Sequence, residues 1–395
     1  MKKNVLITIS GPDHSGITAR MMRILEDNDT QINDIGQNVT HSLLSLSFVI
    51  EISEGTDNNS DVIKDLLFET YKMGMTLDYK ILDGTYEPEL DDEVEKFILN
   101  CVAPERITNT FIADIATVLA EYGVNILKID KVSPGIFKSL EILTIIRKSL
   151  NHTELKEKLI LVSNKHKIDV AFLKDNVFRR SKRLIVFDMD STLIQAEVID
   201  ELAKAHGVGH EISEITERAM NGELDFNESL IARVSKLKGL DANVMEDILS
   251  NLPLTPGVED FLKTIKKLGY KVAVISGGFT FFAEALKEKL GLDYAFANEL
   301  EIIDGKLTGN VLGTIVNAEQ KAILVNLIAQ QENISLEQVV AIGDGANDLP
   351  MLSRAGLGIA FHAKDIVKKK AQNHMSHGPM TSILYFLGIP GTLTD

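Results

Sequence analysis

The chain has little of what secreted, membrane-spanning and nucleic-acid-binding proteins depend on. Its 395 residues include a single cysteine, Cys101, which excludes an internal disulfide and suits a reducing cytosol. We expect this cysteine to be a small buried residue of a strand. No apolar run approaches the length of a bilayer span, and the amino-terminal stretch reaches Asp13 and His14 before it could form the core of a secretory signal. These absences predict a cytoplasmic protein.

Negative charge outnumbers positive charge in this sequence. The chain has 41 lysines and arginines against 57 aspartates and glutamates, a formal net charge of -16. No lysine-rich patch with interleaved aromatic residues offsets this excess, whereas nucleic acids and anionic membranes attract cationic proteins. We therefore expect no nucleic acid and no membrane as a partner, and any phosphate site must be cationic only locally.

What is present is the composition of a folded protein with more than one domain. Hydrophobic residues make up 45% of the chain and charged residues 25%, which argues against long disordered segments. A length of 395 residues exceeds what one hydrophobic core usually supports, so two or three domains are expected.

A branched apolar run precedes two acids near the middle of the chain. Residues 184–187 show no polar alternation, which is typical of a fully buried parallel strand. Asp188 and Asp190 follow the carboxyl end of this strand, where open α/β sheets bind ligands. Residues two apart on an extended chain point the same way, so both carboxylates can face one small volume. A divalent cation or a shared proton would offset their repulsion.

Three later stretches also place polar or glycine residues at the end of a strand or the start of a helix. Residues 271–278 form another buried strand, which ends in a hydroxyl and two glycines, and backbone amides at such a turn suit a phosphate. A helix then opens with a lysine, and residues 338–348 form a third strand that ends in acids. The polar or glycine residues at these ends are Ser276, Gly277, Gly278, Lys321, Asp344, Asn347 and Asp348.

In content and order, these four stretches resemble the four motifs of the haloacid dehalogenase superfamily of phosphotransferases, over residues 182–361. The resemblance implies that Asp188 is a nucleophile, which forms an aspartyl phosphate and divides a slow hydrolysis into two easier steps. It implies that Asp190 is the general acid and base for the leaving oxygen and the attacking water. Superfamily members that transport ions or remove halogens generally lack the second acid, so Asp190 favours phosphoryl hydrolysis.

The same resemblance implies Mg²⁺ as the cofactor, because magnesium prefers oxygen ligands and retains several waters. The implied metal site consists of the Asp188 carboxylate, the Asp190 backbone carbonyl and Asp344, with Asp348 orienting these ligands from behind. The groups implied to bind the phosphate or the substrate are Ser276, the Gly277 amide, Lys321 and Asn347. Gly278 is either a further ligand or a glycine that only the geometry of the turn requires.

A helical insertion at about residues 197–251 separates the first two motifs, with helices expected at 198–205, 211–220, 227–237 and 242–249. In this superfamily an insertion at that point is a lid, which excludes water and restricts the substrate to a small molecule. The segment FNESLIARVSKLKG at residues 226–239, with Glu197 after DSTLIQA, resembles the branch of the superfamily that hydrolyses phosphoserine.

That narrower resemblance assigns the lid residues. Arg233 would pair with the substrate carboxylate in the bidentate geometry of a guanidinium, and Glu197 would bind the substrate ammonium. Met220 and Phe226 would line the apolar side of the substrate, or would only pack within the lid.

The amino-terminal part contains an internal repeat. A βαββαβ order is expected at residues 3–10, 17–25, 30–40, 43–52, 60–73 and 75–82. It recurs at residues 95–102, 107–122, 124–132, 138–148, 152–166 and 168–173. This unit resembles the ACT domain, a ferredoxin-like module that often senses amino acids. The first copy has Gly11 and Gly16 in the turn after its first strand, whereas the second copy has Ala103 and Ile107.

Two roles are open for these units, either binding of an amino-acid effector or scaffolding for pairing with each other or with a second subunit. The expected boundaries are 1–85 and 94–175 for the two units and 182–395 for the catalytic domain, with an acidic linker at 86–93 and a second linker at 174–182. Near the carboxyl end, His374 and His377 belong to a stretch that reads as a polar, solvated tail.

The predicted fold class is α/β, with a Rossmann-like parallel sheet and a helical cap after two α+β ferredoxin-like units. The implied function is magnesium-dependent hydrolysis of O-phospho-L-serine to L-serine and phosphate, the last step of serine biosynthesis, by a homodimer. One alternative is transfer of the phosphoryl group to homoserine. Another is an amino-acid-sensing regulator with an inactive catalytic unit, which the intact acids and Lys321 oppose.

Overall fold

The computed structural model describes residues 2–53, 58–82 and 93–392. The chain divides into two compact units, Met1–Asp91 and Asp92–Asp395. The predicted acidic linker lies almost entirely outside the described residues. In the part of the chain that the structure describes, no helix has the length and apolar character needed to cross a membrane.

The first unit is a four-stranded antiparallel sheet covered by two helices. Its elements are β1 (Lys2–Pro12), α1 (Ile17–Asp27), β2 (Ile32–Thr40), β3 (Leu43–Ser53), α2 (Asn58–Lys72) and β4 (Thr76–Leu82). The strand order is β2-β3-β1-β4, and alternate residues Val5, Ile7 and Ile9 of β1 enter the core. Gly11 is required by close packing, because a Cβ there would lie 2.9 Å from Met75 Cγ.

The larger unit begins with a second copy of this arrangement. Its elements are β5 (Val94–Val102), α3 (Asn109–Glu121), β6 (Asn125–Lys131), β7 (Ser139–Arg147), α4 (His152–His166) and β8 (Asp169–Lys174). The strand order β6-β7-β5-β8 repeats that of the first sheet, which confirms the predicted βαββαβ duplication. Cys101 is buried in β5 and free, as expected, and burial raises the pKa of its thiol.

The rest of the larger unit is built on a seven-stranded sheet of order β12-β11-β10-β9-β13-β14-β15. Its strands are β9 (Leu184–Phe187), β10 (Lys271–Phe279), β11 (Tyr294–Ile303), β12 (Lys306–Leu312), β13 (Val339–Gly343), β14 (Leu357–Phe361) and β15 (Asn373–Met375). All neighbours are parallel except β12, which pairs antiparallel with β11. The predicted α/β class is confirmed, and the central position of β9 places the residues after it at the middle of the sheet's carboxyl edge.

Helices cover this sheet and form the cap. The cap helices between β9 and β10 are α5 (Val198–His206), α6 (Gly209–Met220), α7 (Phe226–Lys236) and α8 (Val244–Asn251). The other helices are α9 (Val258–Lys267), α10 (Thr280–Leu290), α11 (Ala318–Gln331), α12 (Leu349–Arg354), α13 (Asp365–Lys370) and α14 (Ile383–Phe386). Helix α7 begins at Phe226 because Asp225 caps it and Glu228 closes a capping box.

The prediction of a polar, solvated tail was wrong. Residues Asn373–Met375 form β15, and His374 is only 2% exposed. Neighbouring polar groups tie this edge of the sheet to the second βαββαβ unit, since the Phe172 amide donates to Asn373 Oδ1 at 3.1 Å. The Asp169 carboxylate accepts hydrogen bonds from the amides of residues 376–378 at 2.6 to 3.2 Å. These long-range bonds pair polar groups that local sequence patterns do not connect.

Candidate active site

The turn after β9 presents the two predicted acids. Asp188 continues the strand, and its amide donates to the Ile342 carbonyl of β13 at 2.9 Å. Asp190 is extended, and Ser191 then takes the left-handed conformation at φ 56°, which turns the chain away from the sheet. Both carboxylates are buried, so each depends on protein partners rather than water.

Lys321 supplies the main buried counter-charge. The Asn317 side chain caps α11 by accepting from the Gln320 amide, and the next residue in this first turn is Lys321. Its ammonium donates to Asp188 Oδ1 at 2.6 Å and to Asp348 Oδ1 at 2.7 Å. Burial by itself would lower the pKa of Lys321, but the two carboxylates outweigh burial and raise it. The paired carboxylates therefore favour the charged form of Lys321 inside the site.

Asp190 lies in a different environment from Asp188. Its Oδ1 accepts from the Val198 amide at 2.9 Å, and its Oδ2 accepts from the Ser276 hydroxyl at 3.3 Å. Burial, together with the charge of Glu197, raises the pKa of Asp190 to about 7. A carboxyl group that titrates near neutral pH can both give and accept a proton, as general acid and base catalysis requires.

The glycine turn after β10 packs against this acid. The Gly278 amide donates to Ser276 Oγ at 2.8 Å, and Asn298 Nδ2 donates to the Gly277 carbonyl at 2.8 Å. A Cβ at Gly278 would lie 2.6 Å from Asp190 Oδ2. Gly278 is thus required by the close approach of Asp190, which is a packing reason independent of any ligand role.

Three carboxylates form a cluster that could hold a cation. Oxygens of Asp188, Asp344 and Asp348 all lie within 4.8 Å of one another. Burial and then the charge of Asp348 raise the pKa of Asp188 well above its ordinary value, and the same two causes raise the pKa of Asp344 to about 7. Like charges in a buried cluster of oxygens fit a hard divalent cation, which would relieve their repulsion. The donor set therefore suits Mg²⁺.

Asp348 is held more firmly than the other two acids. One of its oxygens accepts from Lys321 and the other accepts from the Gly345 amide at 3.0 Å. Asp344 instead accepts from the Thr192 hydroxyl at 3.3 Å. This difference in bonding leaves Asp344 more available to a ligand than Asp348.

A cavity of about 490 Å³ opens over these acids and is roofed by the cap. Glu197, just before α5, accepts from the Ser191 hydroxyl at 2.8 Å, and burial raises the pKa of its carboxyl. Arg233 of α7 also lines the cavity, and its Nε donates to the Ser229 carbonyl at 3.4 Å. Within residues 2–53, 58–82 and 93–392, its terminal nitrogens remain available to a ligand. The cavity thus has the Glu197 carboxylate and the Arg233 guanidinium on its cap side, facing the paired aspartates.

The structure brings together the residues that the sequence predicted for the catalytic, phosphate-binding, metal and lid positions. Those that line the cavity are Asp188, Asp190, Glu197, Met220, Phe226, Arg233, Gly277, Gly278, Asp344 and Asn347. Those that lie behind it, fully buried, are Ser276, Lys321 and Asp348. Met220 lines the cavity and is 70% exposed, so its side chain lies at the cavity opening and not in the core of the cap. The roles predicted for these residues stay predictions.

Sequence reasoning missed some residues of the cavity wall. Lys364 and Ile366 follow β14 and line the cavity beside the acids. The signal was present, because residues 357–361 are another unbroken apolar run, and the residues after it occupy the same edge of the sheet as the motifs.

Comparisons with known proteins agree with this arrangement. Residues 182–356 match the haloacid dehalogenase-like hydrolase family, and residues 3–80 and 101–173 match ACT-domain families. These matches confirm both resemblances seen in the motifs.

Two relatives match along nearly the whole chain. The chain is 39% identical over 388 residues to the phosphoserine phosphatase of Streptomyces coelicolor, covering 98% of this chain and 92% of the relative. It is 37% identical over 392 residues to the phosphoserine phosphatase SerB2 of Mycobacterium tuberculosis, covering 98% and 94%. A crystal structure of a probable phosphoserine phosphatase from Vibrio cholerae, unliganded, superposes with a TM-score of 0.60 at 39% identity, covering 75% of this chain and 87% of that one.

Proposed function

Since this chain belongs to the phosphoserine phosphatases among the haloacid dehalogenase-like hydrolases, we propose that it hydrolyses O-phospho-L-serine to L-serine and phosphate, the last step of serine biosynthesis. The observation that carries the proposal is that one cavity contains Asp188 and Asp190 at its floor and Glu197 and Arg233 at its cap. In this cavity the acids Asp188 and Asp190 would act on the phosphate group of the substrate. Glu197 would face its ammonium and Arg233 its carboxylate.

In the proposed first step, an oxygen of Asp188 attacks phosphorus as the bond from phosphorus to the serine oxygen breaks. Asp188 Oδ1 accepts from Lys321, which leaves Oδ2 for the attack. Asp190 gives its proton to the leaving serine oxygen, and its raised pKa supports this role. In the second step Asp190 takes a proton from the water that attacks the aspartyl phosphate, and phosphate leaves with Asp188 restored.

The proposed substrate contacts use residues of the cavity wall and two residues buried directly behind it. The Gly277 amide and Asn347 on the wall, with Ser276 and Lys321 behind it, would bind the phosphate group. Arg233 binds the carboxylate through its free terminal nitrogens, and Glu197 binds the ammonium. Phe226 packs against Gly277, where a Cβ would lie 3.0 Å from its ring, and together with Met220 it borders the methylene of the substrate.

The residues that would hold Mg²⁺ are the Asp188 carboxylate, the Asp190 backbone carbonyl and Asp344. Asp348 would orient them, because both of its oxygens are already fixed by Lys321 and Gly345. When bound, the ion would neutralise charge on the phosphate group and on the clustered acids. Removal of magnesium with a chelator should therefore abolish phosphate release, and added Mg²⁺ should restore it.

A test of the substrate compares Arg233→Ala with a matched arginine in the same cap. Arg218→Ala removes a surface arginine that pairs with Glu223 and does not line the cavity. Loss of a bidentate charge-assisted contact should raise KM for phosphoserine by roughly tenfold to a hundredfold. The variant should act on phosphoethanolamine, which lacks the carboxylate, like the unchanged protein. Equal losses on both esters would contradict the assignment.

The same assay separates the alternative functions. Product analysis with homoserine present should yield inorganic phosphate and no phosphohomoserine. Formation of phosphohomoserine would instead identify a phosphotransferase, and the absence of turnover on any small phosphate ester would favour an inactive regulator.

The proposal extends to regulation and assembly. An amino-acid effector would bind the first βαββαβ unit, where Gly16 adopts φ 94° at the start of α1. The enzyme would be a cytoplasmic homodimer whose single thiol is free and buried. Light scattering would give the oligomeric state, and titration with serine would reveal whether turnover responds to it.

A further inference from the structure

A second cavity, of about 280 Å³, lies at the edge of the catalytic sheet opposite the active site. Four of its lining residues come just before parallel strands: Lys182 before β9, Glu337 before β13, Gly356 before β14 and Gln372 before β15. The active-site acids follow the other ends of β9 and β13. The two cavities are therefore separated by the length of the sheet.

The facing wall of this second cavity belongs to the second βαββαβ unit. Phe97 of β5 and Phe172 of β8 stack with ring centroids 4.6 Å apart and planes 7° apart. Lys156 of α4 lines the same space, and Phe386 of α14 adds a third aromatic ring from the catalytic domain. A molecule bound in this cavity would contact both the second βαββαβ unit and the amino ends of β9, β13, β14 and β15.

Positive charge dominates the polar part of this wall, although the chain as a whole is acidic. Lys156, Lys174, Arg179 and Lys182 line the cavity, with Glu337 as the one lining carboxylate among the described residues. Lys174 pairs with Glu95 and Arg179 pairs with Glu141. Among the described residues, the Lys182 ammonium donates to one acceptor, the Glu337 backbone carbonyl, and an ammonium has three donors.

Several of these cations lack full compensation. Arg179 is 6% exposed, and its buried Nε has no hydrogen-bond partner in the described parts of the chain. Burial lowers the pKa of Lys156, and burial, opposed by the charge of Glu337, lowers the pKa of Lys182 to about 8. A bound anion would stabilise the charged form of these desolvated side chains, because it supplies an opposite charge nearby.

We propose that this cavity binds a small organic anion. Its carboxylate or phosphate head would contact Lys156, Lys182 and Arg179, and its apolar or aromatic body would lie against Phe97 and Phe172. The volume is close to the lower end of ligand sites, at roughly 300 Å³, and suits a molecule with one ring. Such a ligand would join the second βαββαβ unit to the amino ends of the strands that carry the catalytic acids.

The test is calorimetric titration of the full-length protein with phenylacetate and with phenylphosphonate, which compares the two head groups. Neutral phenylacetamide is the uncharged control. Lys156→Met removes a lining cation, and Gln372→Glu adds a negative charge at an exposed lining position with little change in shape. Lys158→Met, on the exposed side of the same helix, is the matched control. Thermal unfolding verifies that each variant is folded.

Binding of at least one anion at millimolar concentration or below is expected, with the amide binding more weakly. Lys156→Met and Gln372→Glu should each weaken it by roughly tenfold, while Lys158→Met should not. Arg233→Ala should also leave binding unchanged, which separates this cavity from a carboxylate site under the cap. Equal binding to all variants, loss of binding in Arg233→Ala, or no binding of either anion would overturn the proposal.

Discussion

Lys321→Met should destabilise the catalytic sheet more than any exposed lysine substitution. The ammonium lies 2.6 Å from Asp188 Oδ1 and 2.7 Å from Asp348 Oδ1, and its side chain is fully buried. With an effective dielectric constant of about 20, each contact is an attraction of roughly 6 kcal/mol, most of which offsets the cost of burying the charges. Removal of one partner of a buried pair leaves the others uncompensated, and the net loss is typically about 3–5 kcal/mol.

Because the chain has several units, a single free energy of unfolding is not a suitable measure. Hydrogen exchange of peptides from β9 and β13 reports the opening free energy of the sheet that carries these acids. We expect this free energy to fall by about 3–5 kcal/mol in chelator and to recover in part with Mg²⁺. Lys289→Met, an exposed lysine of α10, should change it by less than about 0.5 kcal/mol. A similarly small change for Lys321→Met would refute the reasoning.

Three further changes test other parts of the structure. Asp188→Asn should reduce phosphate release from phosphoserine by roughly a thousandfold or more without altering the circular dichroism spectrum. Gly278→Ala would place a Cβ 2.6 Å from Asp190 Oδ2 and should lower turnover at least about tenfold, whereas Gly209→Ala, with nothing within 4 Å, should not. The folded pKa of Lys182, about 8, lies below its free value of 10.5, so the unfolded chain binds more protons between these values. Stability should therefore rise as pH increases from 8 toward 10.5, and Lys182→Met should lose this rise in melting temperatures measured across that range.

The sequence predicted the strands and acids of the site well because each feature is local. An unbroken apolar run followed by Asp188 determines both a buried strand and the place of its acid. Helix α7 was predicted to start one residue late, since its start depends on the Asp225 and Glu228 capping pair rather than on apolar spacing. Patterns with periods of two or 3.6 residues predict elements, and caps determine their ends.

The features that the sequence did not give are those that depend on distant partners. His374 is buried because β15 pairs with β14 and the second βαββαβ unit packs beside it, and neither contact leaves a local pattern. The cationic cavity likewise joins residues from α4, β8 and the starts of separate strands. No spacing rule connects Lys156 with Lys182, so only the folded chain brings them together.

The hydrogen bonds that Asp169 accepts from the amides of residues 376–378 also limit where the chain can be truncated. Val102 and Ala171 of the second βαββαβ unit share a hydrophobic cluster with Ile185 and Phe187 of β9. A fragment that starts at residue 182 would therefore uncover apolar surface and release the chain after β15 from its acceptor. A fragment of residues 93–395 should therefore give more soluble, folded protein on expression than a fragment of residues 182–395.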